Sequence, residues 1–488
     1  STYELLLPPQ AAEVANAIRS TLAYILINQD GHAIHPGSRS YERSWIRDGS
    51  LTATALMRFG LEREAREFVD WYAPYQFPSG KVPCVVDHRG ADPVPENDSH
   101  GQYVMAVMNV YRFTGDDAFL RRHWPRVQQA VAYIESLRAE RMTPEYADPQ
   151  TQRTKQEPDK PAVSLHAFYG LVPESISHEG YSAKPMHSYW DDFFVLKGLK
   201  DAAEMAGVLG EHDTATRYQQ LADDFARTLY ASIETAMRTH DIDYIPGCVE
   251  LGDFDATSTT IALWPCNELG RLPQPALDNT FDKYWQRFVA RRDDPSFEWI
   301  DYTPYELRVI GSLVLMGQPE RAQAALDFFM NDRRPPAWNQ WPEVVHRDPR
   351  TARFIGDLPH TWCGSDFVNS VRMMLLYERE ADDALVLLAG VPGDWISEQP
   401  IGFRDLPTYG GRLTCTLARP AGSTDRLEAQ LAGSCPIPAG NIRLAVPGGR
   451  PVAATVNGSH AEIDADGRIV VDTLPAEVSV TIMPENPR

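Results

Sequence analysis

Between about residues 10 and 380, apolar positions recur with i, i+3, i+4 spacing, and this period predicts roughly twelve helices arranged in pairs. The clearest cover 12–27, 51–59, 62–71, 101–113, 117–137, 189–206, 212–230, 257–269, 304–316, 319–330 and 366–377. Some are alanine-rich with one wet face, as in 121–134, and read as outer helices; others, such as 258–264, carry almost no charge and read as inner ones. Long polar or proline-rich connections at 75–100, 146–186, 244–256 and 331–359 hold most of the aromatic and acidic residues of interest. Connections of that length are uncommon in a folded domain unless they carry function. Alternating inner and outer helices with elaborate loops predict a mainly α toroid whose loops build a pocket. A plain helical solenoid is the competing arrangement, but no fixed-period repeat supports it.

After about residue 385 the period changes. Segments beginning at Gly411, Arg426, Ile442, Ala453, Arg468 and Val478 alternate or are β-branched and are separated by Gly, Pro, Asn and Asp. A helical catalytic domain over 1–385 and a small β-sandwich accessory domain over 386–488 are therefore expected.

With 488 residues, 43% hydrophobic and 23% charged, the chain can bury a large core. No apolar run approaches the roughly 18–20 residues that span a bilayer, and no basic-then-apolar leader stands at the start. The first residue is Ser1, compatible with a removed signal, so cytoplasmic and exported locations both stay open. A formal charge of -21 without a long basic stretch disfavours nucleic acid and anionic membranes and suits a neutral ligand. Cysteines at 84, 248, 266, 363, 415 and 435 form no Cys-x-x-Cys pair, which disfavours metal and redox chemistry; only Cys415 and Cys435 are placed to bridge.

Residues 45–48 read Trp-Ile-Arg-Asp at a helix mouth, after a Gly/Ser/Tyr-rich turn. Trp45 can cover the C–H face of a sugar ring while Arg47 and Asp48 offer donors and acceptors to neighbouring hydroxyls. A buried Trp with a local Arg–Asp pair is the purely structural alternative. Three further segments join aromatics to carboxylates: 187–192, containing Trp190, Asp191 and Asp192; 252–257; and 338–345, containing Trp341 and Glu343, which leads to His360 and Trp362.

In order and spacing these anchors resemble the glucoamylase-type glycoside hydrolases, across roughly residues 40–380. The matching steps are Trp45–Asp48, Trp190-Asp191, Phe254-Asp255-Ala256, Glu343 and His360-Thr-Trp362. The resemblance implies an (α/α)6 barrel of six helical hairpins, a carbohydrate substrate and no cofactor; His178 and His187 flank a loop with Glu179 without metal-ligand spacing, so no catalytic metal is expected. It implies that Arg47 and Asp48 hold the terminal sugar, that Asp191 is the general acid and that Glu343 is the base. One carboxyl must keep a proton for the leaving oxygen while the other activates water, and a separation of roughly 6.5–9.5 Å inverts the anomer. Asp191 and Asp192 are adjacent, so only one can face a pocket.

That family's acid is usually Glu, so Asp191 shifts the likeness toward processing-glucosidase and trehalase types. The segments 77–83 and 96–101 have no glucoamylase counterpart; there Glu96 or Asp98 could bind hydroxyls, or Asp98 could cap the next helix. Glu306, in a first helical turn where an acid complements the dipole, is a reserve base. The expectation is an exo-acting, inverting glycoside hydrolase. A histidine-based sugar epimerase on the same toroid and a non-catalytic glycan-binding protein are the alternatives.

Overall fold

The computed structural model describes residues 3–151 and 159–484; the 152–158 part of the connection at 146–186 lies outside them, as do the outermost residues of both expected domains. Its helices are α1 (Ala12–Ile27), α2 (Ile46–Arg58), α3 (Glu62–Tyr72), α4 (Ser99–Thr114), α5 (Asp117–Ala139), a single turn α6 (Pro144–Ala147), α7 (Tyr189–Val208), α8 (His212–His240), α9 (Ala256–Leu263), α10 (Ala276–Asp293), α11 (Leu307–Leu315), α12 (Pro319–Asn331) and α13 (Thr361–Leu375).

Six of them make an inner ring: α2 touches α4, then α7, α9, α11 and α13 follow, and α13 closes back on α2. Each is backed by an outer helix, α3, α5, α8, α10 and α12 in turn, with α1 behind α13. Sequence separates the two kinds. Every residue of α2 and of α13 is buried, polar ones included. By contrast α3 buries only Ala65, Phe68, Val69 and Tyr72, a one-sided stripe. The inner ring is tightest where α4 meets α7. A Cβ on Gly101 would stand 1.9 Å from the Phe194 carbonyl oxygen, and one on Gly198 2.6 Å from the Gly101 Cα, so the two backbones touch through glycine.

The helix period is largely realised, with instructive departures. Helix α9 stops at Leu263 rather than near 269, because Pro265 follows and cannot donate to the ladder. Helix α13 starts at Thr361, five residues earlier than expected, since the His360 side chain accepts from the Cys363 N–H as its cap. Helix α10 falls where no helix is named above, although Leu277, Phe281, Tyr284 and Phe288 bury one stripe.

Most of the strands form a seven-stranded and a four-stranded sheet, and the rest make a three-stranded and a two-stranded one. Along Gly411–Ala418, Leu413, Cys415 and Leu417 turn inward while their neighbours face outward, the alternation of a half-buried strand. Three strands that begin before residue 386 join the two larger sheets. Glu4–Leu6 pairs antiparallel with Ile401–Thr408, Ala384–Leu387 pairs parallel with Ile442–Leu444, and Leu376–Arg379 pairs antiparallel with Ala384–Leu387. A two-domain division at 385/386 thus stays a proposal that strand pairing crosses. Cys415 and Cys435 are both free and buried, as are the other four cysteines, so the bridge considered for that pair is not formed.

Candidate active site

The inner helices present their N-terminal ends to one cavity of about 440 Å³, lined from the starts of α2, α7, α9, α11 and α13 and from the loops between them. Converging N-termini favour negative charge there, which suits a site rich in carboxylates. Two short pairings shape the mouth. Ser44–Trp45 pairs with Val85–Asp87, fixing Trp45, and Asp301–Tyr302 pairs with Val345–His346, just beyond Glu343.

On one wall stand Trp45, Arg47, Asp48 and Trp362. The Arg47 guanidinium lies 4.9 Å from the Trp362 ring centroid, donates from Nη1 to Glu96 Oε2 at 2.7 Å, and has Nε 3.3 Å from Asp48 Oδ2. Glu96 therefore sits behind the arginine rather than in the cavity, setting the direction of its fork. Burial pushes the Asp48 carboxyl up to about 7, against the pull of Arg47 and with help from the charges of Glu179 and Glu343. Arg47 Nε, Asp48 Oδ2 and Trp362 Nε1 are buried without a hydrogen-bond partner. Polar atoms left so are costly, and a hydroxyl-rich ligand supplies both donors and acceptors to satisfy them.

Three further carboxylates line the cavity: Asp255, which accepts from the Ser258 N–H at 2.9 Å as the cap of α9, and Glu343 and Glu179. Glu343 accepts from two phenols, Tyr305 Oη to Oε1 at 2.9 Å and Tyr41 Oη to Oε2. Tyr41 is itself placed by Asp357, whose carboxylate takes the backbone N–H groups of Arg39 at 2.7 Å, Ser40 at 3.2 Å and Tyr41 at 3.0 Å. Glu179 receives the Trp45 indole N–H at 3.1 Å and lies 3.9 Å from Arg47 Nη2; its side chain is 46% exposed, open to the cavity and to solvent. It projects from a turn in which Ser177 and Glu179 both adopt left-handed backbone, φ 52° and 64°.

Of the residues singled out in the sequence, Trp45, Arg47, Asp48, Trp190, Asp255, Glu343, His360 and Trp362 line this cavity together. The others are elsewhere. Asp191 is buried behind the wall, its two oxygens taken by Ser175 Oγ at 2.6 Å and Ser177 Oγ at 2.7 Å, so the acid expected there has no access to a leaving group. Asp192 accepts from the Val172 N–H instead. Asp98 stands at the N-cap of α4 without capping it; its carboxylate takes Trp190 Nε1 and Gln102 Nε2, each at 2.8 Å. Trp341 is fully buried against Phe367, with its indole N–H on the Phe329 carbonyl, and forms core rather than a sugar platform. Glu306 accepts from Tyr284 at 2.7 Å and pairs with Arg291 at 2.5 Å, which removes it as a reserve base.

Tyr41, His178, Glu179, Tyr305 and Arg308 also line the cavity without having stood out in the sequence as site residues. Only Glu179 had a legible signal, a carboxylate between His178 and Gly180 inside a long connection. His178 meets Ser258 Oγ at 3.1 Å, and burial lowers its pKa; burial also lowers that of His360, to about 4.

Compared with known proteins, residues 40–239 match the model of the bacterial alpha-L-rhamnosidase six-hairpin glycosidase domain. An alpha-L-rhamnosidase of Dictyoglumus thermophilum is similar in structure over 99% of this chain and 50% of its own, with a TM-score of 0.59 at 14% identity. That of Streptomyces avermitilis, complexed with L-rhamnose, is similar over 99% of this chain and 42% of its own, also at 0.59 and 14%. A glycosidase is similar over 75% of this chain and 98% of its own, at 0.51 and 17%. An uncharacterized glycosyl hydrolase of Methanocaldococcus jannaschii is 28% identical over 104 residues, 21% of this chain and 16% of that protein. The fold is that of the six-hairpin glycosidases, the wider class to which the glucoamylase-like motifs point. The chain spans half or less of the length of these rhamnosidases, and 16% of the curated relative. Among the described residues no helix is long and apolar enough to cross a membrane.

Proposed function

We propose that the protein is an exo-acting glycoside hydrolase that inverts the anomeric centre of a terminal neutral sugar, with Glu179 as general acid and Glu343 as general base. The observation that carries this is the placement of both carboxylates in one tryptophan-lined cavity beside the unpartnered polar atoms of Arg47, Asp48 and Trp362. Glu343, accepting hydrogen bonds from two phenols, is oriented for drawing a proton from water. Glu179, open to solvent on one side, can be reprotonated between turnovers, as an acid must. Trp45 and Trp362 offer apolar surface to the ring, and Arg47 with Asp48 offers a donor and an acceptor to adjacent hydroxyls.

An α-L-rhamnoside is the first substrate to try, since the family model and two of the structures similar to this chain carry that name. A glucoside is the second, because a variant of the similar glycosidase was solved in complex with glucose. An epimerase acting through histidines is less well supported. Burial disfavours the protonated form of both His178 and His360, and each is engaged in a hydrogen bond. A panel of aryl glycosides and oligosaccharides tests the proposal. Release of a single terminal sugar by wild type, lost in Glu343→Gln by about 10²–10⁴-fold, is expected; no turnover on any member, or full turnover by the variant, overturns it.

A further inference from the structure

Asp191 remains to be explained. A fully buried carboxylate at the start of an inner helix is expensive, and nothing in the proposed chemistry uses it directly. Besides the Asn97 backbone, its oxygens reach one short stretch: Oδ2 takes the Ser175 hydroxyl at 2.6 Å and Oδ1 the Ser177 hydroxyl at 2.7 Å. Ser175 Oγ in turn accepts the Ser177 backbone N–H at 2.7 Å, so the two serines and the carboxylate close a small hydrogen-bonded ring. Ser175 is fastened independently by paired backbone bonds with Met186, and the Ile176 N–H reaches the Pro95 carbonyl at 3.3 Å.

The chain then runs directly into Glu179. Ser177, at φ 52°, and Glu179, at φ 64°, hold left-handed backbone that a residue with a side chain adopts at a cost of order 1 kcal/mol or more. Such a turn persists only when its surroundings over-determine it, and strain of this kind concentrates at functional sites. The Asp191 ring grips the first strained residue, and the Trp45 indole N–H grips the carboxylate of the second at 3.1 Å.

We propose that Asp191, through Ser175 and Ser177, is a positioning residue for the general acid: it locks the strained 177–179 turn that aims Glu179 at the departing oxygen. The inference rests on Glu179 being that acid. Loss of the ring lets the turn relax toward ordinary backbone, and Glu179 drifts from the line of proton transfer while Glu343, held separately by Tyr41 and Tyr305, keeps its place.

Leaving-group dependence separates this from a purely structural role. An activated aryl glycoside departs without a proton, whereas an alkyl glycoside or a disaccharide needs one. The Ser175→Ala/Ser177→Ala protein, which only deletes two oxygens, is expected to lose about tenfold or more in kcat on the unactivated substrate and less than about threefold on the activated one, with KM nearly unchanged. Asp191→Asn should show the same asymmetry; the serine variant keeps the test alive if Asp191→Asn does not fold. Equal losses on both substrates, or no loss in a folded serine variant, overturn the proposal. Glu179→Gln measured alongside separates the two levels. If it lacks the asymmetry, the assignment of the acid fails; if it has it and the serine variant does not, only the positioning role fails.

Discussion

Asp48→Asn separates binding from folding more sharply than any other single change in the cavity. In the folded protein the Asp48 carboxyl is pushed from its ordinary 3.8 up to about 7, chiefly by burial, so it binds a proton that the unfolded chain has released. A raised carboxyl contributes stability that is complete below about 4 and is lost as pH climbs through about 7. The difference of roughly 3 units corresponds to about 4 kcal/mol at 1.36 kcal/mol per unit. Asparagine has no such proton, so the melting temperature of the variant minus that of wild type should rise between pH 4 and pH 8. With about 2.1 cal/mol/K per residue, 488 residues give about 1 kcal/mol/K, hence a relative gain of up to about 4 °C. Arg47 does not become an uncompensated charge, because Glu96 stays 2.7 Å away. Turnover should move the other way. Above about pH 7, where the Asp48 carboxyl is ionised, a sugar hydroxyl loses a charged acceptor worth ~1.5–3 kcal/mol, or ~10–100-fold in kcat/KM. Differential scanning fluorimetry at several pH values, paired with initial rates on the same preparations, decides the matter. A variant that melts well below wild type at pH 8 yet keeps its kcat/KM would show that Asp48 is a structural partner of Arg47 and nothing more.

Glu306→Gln should leave kcat and KM untouched but lower stability by about 3 kcal/mol, because buried Arg291 loses its counter-charge; chemical denaturation read against rates checks both halves. Gly101→Ala should destabilise despite a gain in helix propensity, since its methyl would fall 1.9 Å from the Phe194 carbonyl oxygen; a melting temperature at or above wild type would contradict the α4–α7 spacing. Arg47→Lys should lower kcat/KM about tenfold or more, because one ammonium cannot face Glu96, Asp48 and a sugar hydroxyl as the planar fork does; unchanged kinetics would remove Arg47 from the sugar grip.

What could be read in the sequence was whatever is local. The helix period located inner and outer helices because burial on all sides or on one stripe writes itself into consecutive residues, as in α2 and α3. Trp45, Arg47 and Asp48 share a helix start, so their convergence was visible in four letters. The partner carboxylates were not equally accessible. Asp191 and Glu179 lie only twelve positions apart in the same aromatic neighbourhood, and which one faces the cavity depends on the path of the turn between them. That path is set by Ser175, Ser177 and Asp191 together, a three-dimensional fact without a periodic signature. The two phenols on Glu343 come from positions 41 and 305, more than 250 residues apart, and no pattern along the chain joins them. Trp341 stands two residues from Glu343, yet it points into the core, because the segment turns between them. The strand Glu4–Leu6 found its place only through the sheet edge at Ile401–Thr408.

The central claim is that Glu179 and Glu343, in one cavity, act as general acid and as a base on water. Proton NMR of the first-formed sugar, recorded within seconds to minutes of adding wild-type protein to a substrate it cleaves, reads this directly. The account predicts that the inverted anomer appears first and the other only by mutarotation. Initial release of the retained anomer would mean that one carboxylate attacks the sugar itself, and would contradict the assignment of Glu343 as a base acting on water.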